Sequence, residues 1–133
     1  MTMLQMIKEP ALAEKNIPLG VVEVYFPERE KLLESDFRTL VETELTSLRE
    51  KFKEYDRKAV FGENPYFRFF RKFKKTYPVM LQLESVLLKG RPFPSFNVVA
   101  ELPFLLELTT QVLSGAHDID RMEGPVELFL GSE

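Results

Sequence analysis

The chain has 133 residues and a mass of 15.5 kDa, room for one domain. With 44% hydrophobic residues, 29% charged residues and a net charge of −3, it lies in the ordinary globular range and outside the composition of disordered chains. It has no cysteine, which excludes a disulfide framework, a redox pair and a thiolate zinc site. Its longest apolar run, Ile17 to Val22, is far short of the ~20 residues of a membrane helix. Lys8 and Glu9 interrupt the first twelve residues, where a secretory leader would need an apolar stretch. A cytoplasmic protein with no membrane contact, no cofactor and no metal site is therefore expected.

In chain order, residues 1–18 read as an extension. Leu19 to Phe26 is β-branched and aromatic and stops at Pro27, which predicts a strand. From Glu28 to Tyr55, the apolar residues Leu33, Phe37, Val41, Leu45, Leu48 and Phe52 recur at steps of three and four, ending on Tyr55. That spacing places them on one face of a long helix. Glu28, Glu30 and Glu34 crowd its start and Lys51 and Lys53 its end, as the helix dipole favours. Asp56 to Asn64, with Gly62 and Asn64-Pro65 as breakers, reads as a loop. Tyr66 to Lys75 predicts a second helix, with Tyr66, Phe69, Phe70 and Phe73 facing a core and Arg68, Arg71, Lys72 and Lys75 facing water.

Pro78 can open a third helix, running through Leu83, Glu84 and Leu87 to Gly90. Arg91 to Pro94 is extended, because residues before proline leave the helical region. A fourth helix follows Asn97, with Phe104, Leu105, Leu108 and Val112 as its buried stripe, and Pro103 either kinks it or begins it. Gly115 to Gly124 reads as a polar loop and Pro125 to Leu130 as a strand. A block of helices between terminal strands argues for the α+β class. The expected organisation is a single domain over 1–133, in which 19–64 is strand plus long helix and 65–133 carries the sequence motifs. The last strand must pair with an earlier one such as 19–26, with a second copy of the chain, or with the rest of a longer parent. A homo-oligomer or an incomplete C-terminal edge is thus expected.

Charge is unevenly distributed. Residues 61–95 carry seven basic and two acidic groups, and residues 96–133 one and seven. A basic segment within an acidic protein can attract phosphates. Arg68, Arg71, Lys72 and Lys75, with Lys89 and Arg91, are the candidate contacts, a solvated helix face being the plainer alternative. The spacing of the neighbouring rings is that of a core stripe and argues against base stacking.

Nucleophile-elbow, phosphate-loop, dinucleotide and metalloprotease signatures are absent. His117, the sole histidine, stands beside Asp118 and Asp120. It could serve as a general base, orient a water or join a hard-cation site, whereas aspartates in turns more commonly bond backbone amides. Glu84, Glu101 and Glu107 sit within or beside apolar helix faces, where a carboxylate must find a partner or shift its pKa.

Two stretches carry a family resemblance. In one, Leu83 leads through Lys89-Gly90 and Pro92-Phe93-Pro94 to Asn97; the other is Gly115-Ala116-His117-Asp118-Ile119-Asp120, closing on Gly124. Their order and distances are similar to those of the B3/4 domain, found in the beta subunit of phenylalanyl-tRNA synthetase and in free-standing relatives. The resemblance runs from Tyr77 onward, and more loosely over the N-terminal strand and long helix. It implies a layered sandwich of sheet and helices, tRNA as partner, and hydrolysis of tyrosine mischarged onto the phenylalanine tRNA. A pocket that bonds a phenolic hydroxyl can discriminate strongly, and an aminoacyl ester is activated enough for a positioned water to suffice.

The positions carried over as pocket candidates are Asn97, Glu101, His117, Asp118 and Asp120, with no catalytic residue assigned. The family's specificity-determining glutamate and glycine-rich loop lie beyond the position matching Glu133, so the chain is expected to carry the first part of such a site. Without the synthetase core, aminoacylation is not expected. The alternative is a tRNA- or protein-binding module without chemistry.

Overall fold

A short parallel ladder joins the two ends of the chain. In the computed structural model, which describes residues 5–16, 20–26, 28 and 34–131, strand β1 (Met6–Lys8) pairs with strand β2 (Val126–Leu128) in the register Met6 to Val126 and Lys8 to Leu128. Val126 N–H donates to Gln5 O at 2.9 Å and Glu9 N–H to Leu128 O at 2.8 Å, extending the ladder at both ends. Val126 and Leu128 are half-buried and Glu127 is exposed, the alternation expected of a sheet with one covered face. Pro10 then sits in the first turn of helix α1 (Pro10–Glu14).

The predicted C-terminal strand therefore exists, but its partner is Met6–Lys8, within the presumed extension. Residues 20–26 form no strand, and Leu19 and Pro27 lie outside the described residues. β-Branched composition records a fit to a pleated, half-buried surface. Without a ladder neighbour, Val22, Val24 and Tyr25 stay exposed.

The chain divides into two compact units, one made of Met1–Arg29 with His117–Glu133 and the other of Glu30–Ala116. The second holds the core. Helix α2 (Glu34–Lys51) buries Phe37, Val41, Leu45 and Leu48, and Phe52, just past its last turn, is buried as well. Arg49 and Lys51 occupy the last turn. Glu28 is non-helical, and Leu33 lies outside the described residues.

The segment read as a loop after α2 contains helix α3 (Arg57–Phe61). Asp56 caps it by accepting from Ala59 N–H at 2.7 Å, a cap interaction of about 1 kcal/mol. Tertiary packing completes it, with Phe61 fully buried. Gly62 is required at its end, because a Cβ there would meet the Lys58 carbonyl oxygen at 2.4 Å.

Helix α4 (Pro65–Lys72) is capped by the Asn64 side chain, which accepts from Tyr66 N–H at 2.9 Å and Phe67 N–H at 3.1 Å. It ends three residues earlier than predicted. Lys74 adopts a left-handed φ of 54° and Lys75 N–H returns to Phe70 O at 3.0 Å, the pattern of a Schellman turn.

Helix α5 (Pro78–Leu83) opens on Pro78 as expected and widens into a π-helical turn over Glu84–Leu88. Gly90, at φ 66°, turns the chain away. Helix α6 (Val98–Thr110) starts at its Asn97 cap, which accepts from Ala100 N–H at 2.9 Å, and carries Pro103 in its interior. Leu105 and Leu108 are buried, Phe104 packs on the core from the side, and Val112, predicted inward, is exposed beyond the end of the helix. The polar loop after Gly115 tightens into a single 3-10 turn over Ile119–Arg121. Helices with a small two-stranded sheet make this a mixed α+β chain. No helix among the described residues is long and apolar enough to cross a membrane.

Candidate nucleic-acid interface

Helix α4 and its C-terminal turn carry rings at Tyr66, Phe67, Phe69, Phe70 and Phe73. Of the four rings predicted to face inward, Phe70 does so and Tyr66, Phe69 and Phe73 do not, while Phe67 turns inward instead. Phe67 and Phe70 pack against the core, Phe67 beside Phe61 at 6.3 Å between ring centroids and Phe70 beside Tyr77 at 5.5 Å. Tyr66, Phe69 and Phe73 are 42%, 56% and 58% exposed.

The reason lies in the spacing. Tyr66, Phe69 and Phe73 form one helical stripe and Phe67 with Phe70 a second beside it, so periodicity alone fits either face. The positions of Phe61 and Tyr77, supplied by α3 and by the segment before α5, decide in favour of the second stripe.

The outward rings are held in place. Phe69 and Phe73 lie 5.1 Å apart with their planes at 60°, and Phe69 meets Phe70 edge-on at 6.3 Å. Tyr66 stacks on Tyr77 at 6.1 Å with planes 10° apart. Tyr77 itself is fully buried, and burial pushes its hydroxyl pKa up to about 12, so it stays neutral.

The same segment carries exposed cations. Arg68, Arg71, Lys72, Lys74 and Lys75 are all exposed. With about 100° per residue, Arg68 and Lys72 lie to one side of the Phe69 and Phe73 stripe, and Arg71 lies on the opposite side of the helix. Arg68 donates to Gly62 O at 3.0 Å and pairs with exposed Glu63, an exposed pair that solvent weakens. The Arg71 guanidinium lies 5.6 Å from the Phe67 ring centroid. Among the described residues, no carboxylate forms an ion pair with Arg71, Lys72, Lys74 or Lys75. Lys89 and Arg91 are exposed at the exit of the π-helical turn, where Arg91 N–H bonds Ser85 O at 3.0 Å. Arg91 also borders an open depression of about 250 Å³ with Gln82, Ser85 and Phe104. Lys74 is a further exposed cation, one that falls outside the helical spacing of the others.

The carboxylates flagged on apolar faces have all found partners. Glu84 accepts from Arg57 Nε and Nη2, both at 2.8 Å, and from the Tyr55 hydroxyl at 2.7 Å. The Arg57 hydrogen bonds hold the Glu84 carboxyl below the usual carboxylate range against the opposing effect of burial. Burial and the Glu84 charge push the Tyr55 hydroxyl well above its ordinary value. Glu101, almost completely buried, pairs with Arg38 and accepts from Phe96 N–H. Glu107 accepts from Ser114 N–H at 2.9 Å and from its hydroxyl at 3.1 Å, tying down the chain after α6.

Among the pocket candidates, Asn97 is the α6 cap and Glu101 is the buried ion-pair acceptor, both in the unit Glu30–Ala116. His117, Asp118 and Asp120 belong to the other unit and are exposed. There Asp118 accepts from Asp120 N–H at 3.1 Å and lies 3.6 Å from Arg121, the amide-bonding role aspartates take in turns. No cluster of metal-ligating side chains occurs among the described residues. No family model matches the chain, and no curated protein or solved structure matches it either.

Proposed function

We propose that the chain is an RNA-binding module whose contact surface is the basic, aromatic face of α4. The observation that carries this reading is the exposure of Tyr66, Phe69 and Phe73 in a segment whose cations Arg68, Arg71, Lys72, Lys74 and Lys75 are all exposed. Cations supply affinity for phosphates and exposed rings supply surfaces on which bases can rest. The resemblance of Leu83–Asn97 and Gly115–Gly124 to the B3/4 domain makes tRNA the RNA of choice. It extends the proposal to a layered B3/4-like sandwich. Binding is favoured over hydrolysis of mischarged aminoacyl-tRNA because Asn97 and Glu101 are already engaged as a cap and an ion pair.

The test is fluorescence anisotropy of labelled tRNA across a salt series, with the full chain and a variant in which Arg68, Arg71, Lys72 and Lys75 are all replaced by glutamine. Affinity should fall steeply with salt, and the variant should lose about one unit of slope per phosphate contact removed. Absence of binding at low salt, or identical slopes for the two proteins, sinks the proposal. Cleavage of tyrosyl-tRNA above the buffer rate, with phenylalanyl-tRNA as control, would restore the editing reading.

A further inference from the structure

We infer that Phe69 and Phe73 form a stacking ledge for unpaired bases, so that α4 selects single-stranded over double-stranded RNA. This rests on the RNA-binding reading and names the kind of RNA that surface takes. Cations alone do not discriminate, since both forms present phosphates. An aromatic side chain can stack only where the face of a base is free, and in a duplex those faces are covered by neighbouring pairs.

The geometry suits such a ledge. Both rings are more than half exposed, yet they are braced against each other at 5.1 Å, and Phe69 is backed by Phe70, which leans on fully buried Tyr77. A braced ring loses little freedom when a base docks, which favours binding. Arg68 and Lys72 lie along one side of the stripe on α4, and Lys74 and Lys75 follow Phe73 in sequence. A strand whose bases lie on the rings would therefore keep its phosphates beside cations. Residues 64–83 contain no aspartate or glutamate, and the neighbouring Glu63 is an exposed partner of Arg68.

The experiment compares a labelled, unstructured oligouridine with an RNA duplex of the same length, both at low salt. Three proteins are titrated: the full chain, its Phe69→Leu/Phe73→Leu variant and the glutamine variant described above. Leucine keeps an apolar, helix-compatible side chain and removes the ring. The leucine variant should lose about tenfold or more in affinity for oligouridine, because base–aromatic stacking accounts for factors of that order. Its duplex affinity should stay within about twofold, since the phosphate contacts are untouched. The glutamine variant should lose affinity for both.

Equal losses on both RNAs, or none, in the leucine variant overturn the ledge and leave a phosphate-only surface. No binding of either RNA by the full chain overturns the RNA-binding reading, and the ledge with it. A dimer of the full chain that the leucine variant abolishes in sedimentation also overturns it, assigning the rings to self-association. If the leucine variant misfolds, Phe69→Trp gives a second readout. The chain has no tryptophan, so the indole reports alone. Its fluorescence should be quenched by oligouridine and not by the duplex, and indifference to both would refute the inference.

Discussion

Replacing Glu84 by glutamine separates the charge of the buried carboxylate from its shape. In the native chain Glu84 is 4% exposed and accepts two hydrogen bonds from Arg57 and one from Tyr55. Glutamine fits the same space, but its amide NH2 turns one acceptor into a donor facing Arg57. Hydrogen bonds to a charged group contribute about 1.5–3 kcal/mol each when buried. Arg57 is more than half exposed, so water replaces part of what it loses. The net loss for Glu84→Gln is therefore set at about 2 kcal/mol, near the low end for one such bond. In a chain of this size that lowers the melting temperature by roughly 8 °C.

The assay is urea denaturation followed by circular dichroism at several pH values. Because the folded pKa of Glu84 lies below its ordinary value, the stability it contributes is complete above the unfolded carboxyl pKa of about 4.3. That contribution disappears as pH falls through the lower, folded value. Wild type should exceed Glu84→Gln at neutral pH, and the gap should close in acid. Removing Arg57 in both backgrounds should show the effects to be coupled rather than additive. A gap that is absent at pH 7, or that persists unchanged in acid, would refute the assignment of this network as charge-dependent.

Two further outcomes test the fold around the interface. Arg38→Ala leaves the Glu101 carboxylate buried without its cation and should cost about 3 kcal/mol; an unchanged urea midpoint would contradict this. Lys74→Gly relieves a non-glycine residue at φ 54° and should raise stability by about 0.5–1 kcal/mol, read as a later thermal midpoint, with destabilisation counting against the Schellman turn.

Elements built from neighbours three or four residues apart were legible from the order of residues alone. The buried stripe Phe37, Val41, Leu45 and Leu48, the Asn97 cap and the Pro78 start all follow from such local physics. The need of Glu84, Glu101 and Glu107 for partners was equally legible, because an apolar surrounding penalises any lone carboxylate. Who those partners are was not legible, since Arg57 and Arg38 stand 27 and 63 residues away. Nor could residues 20–26 be told from a true strand, because a ladder exists only where another strand is delivered, and β2 receives Met6–Lys8. The α4 face shows the same division. Its rings and cations are written in the sequence, but two overlapping aromatic stripes satisfy one helical period equally well. Only the arrival of Phe61 and Tyr77 against Phe67 and Phe70 leaves Phe69 and Phe73 facing water.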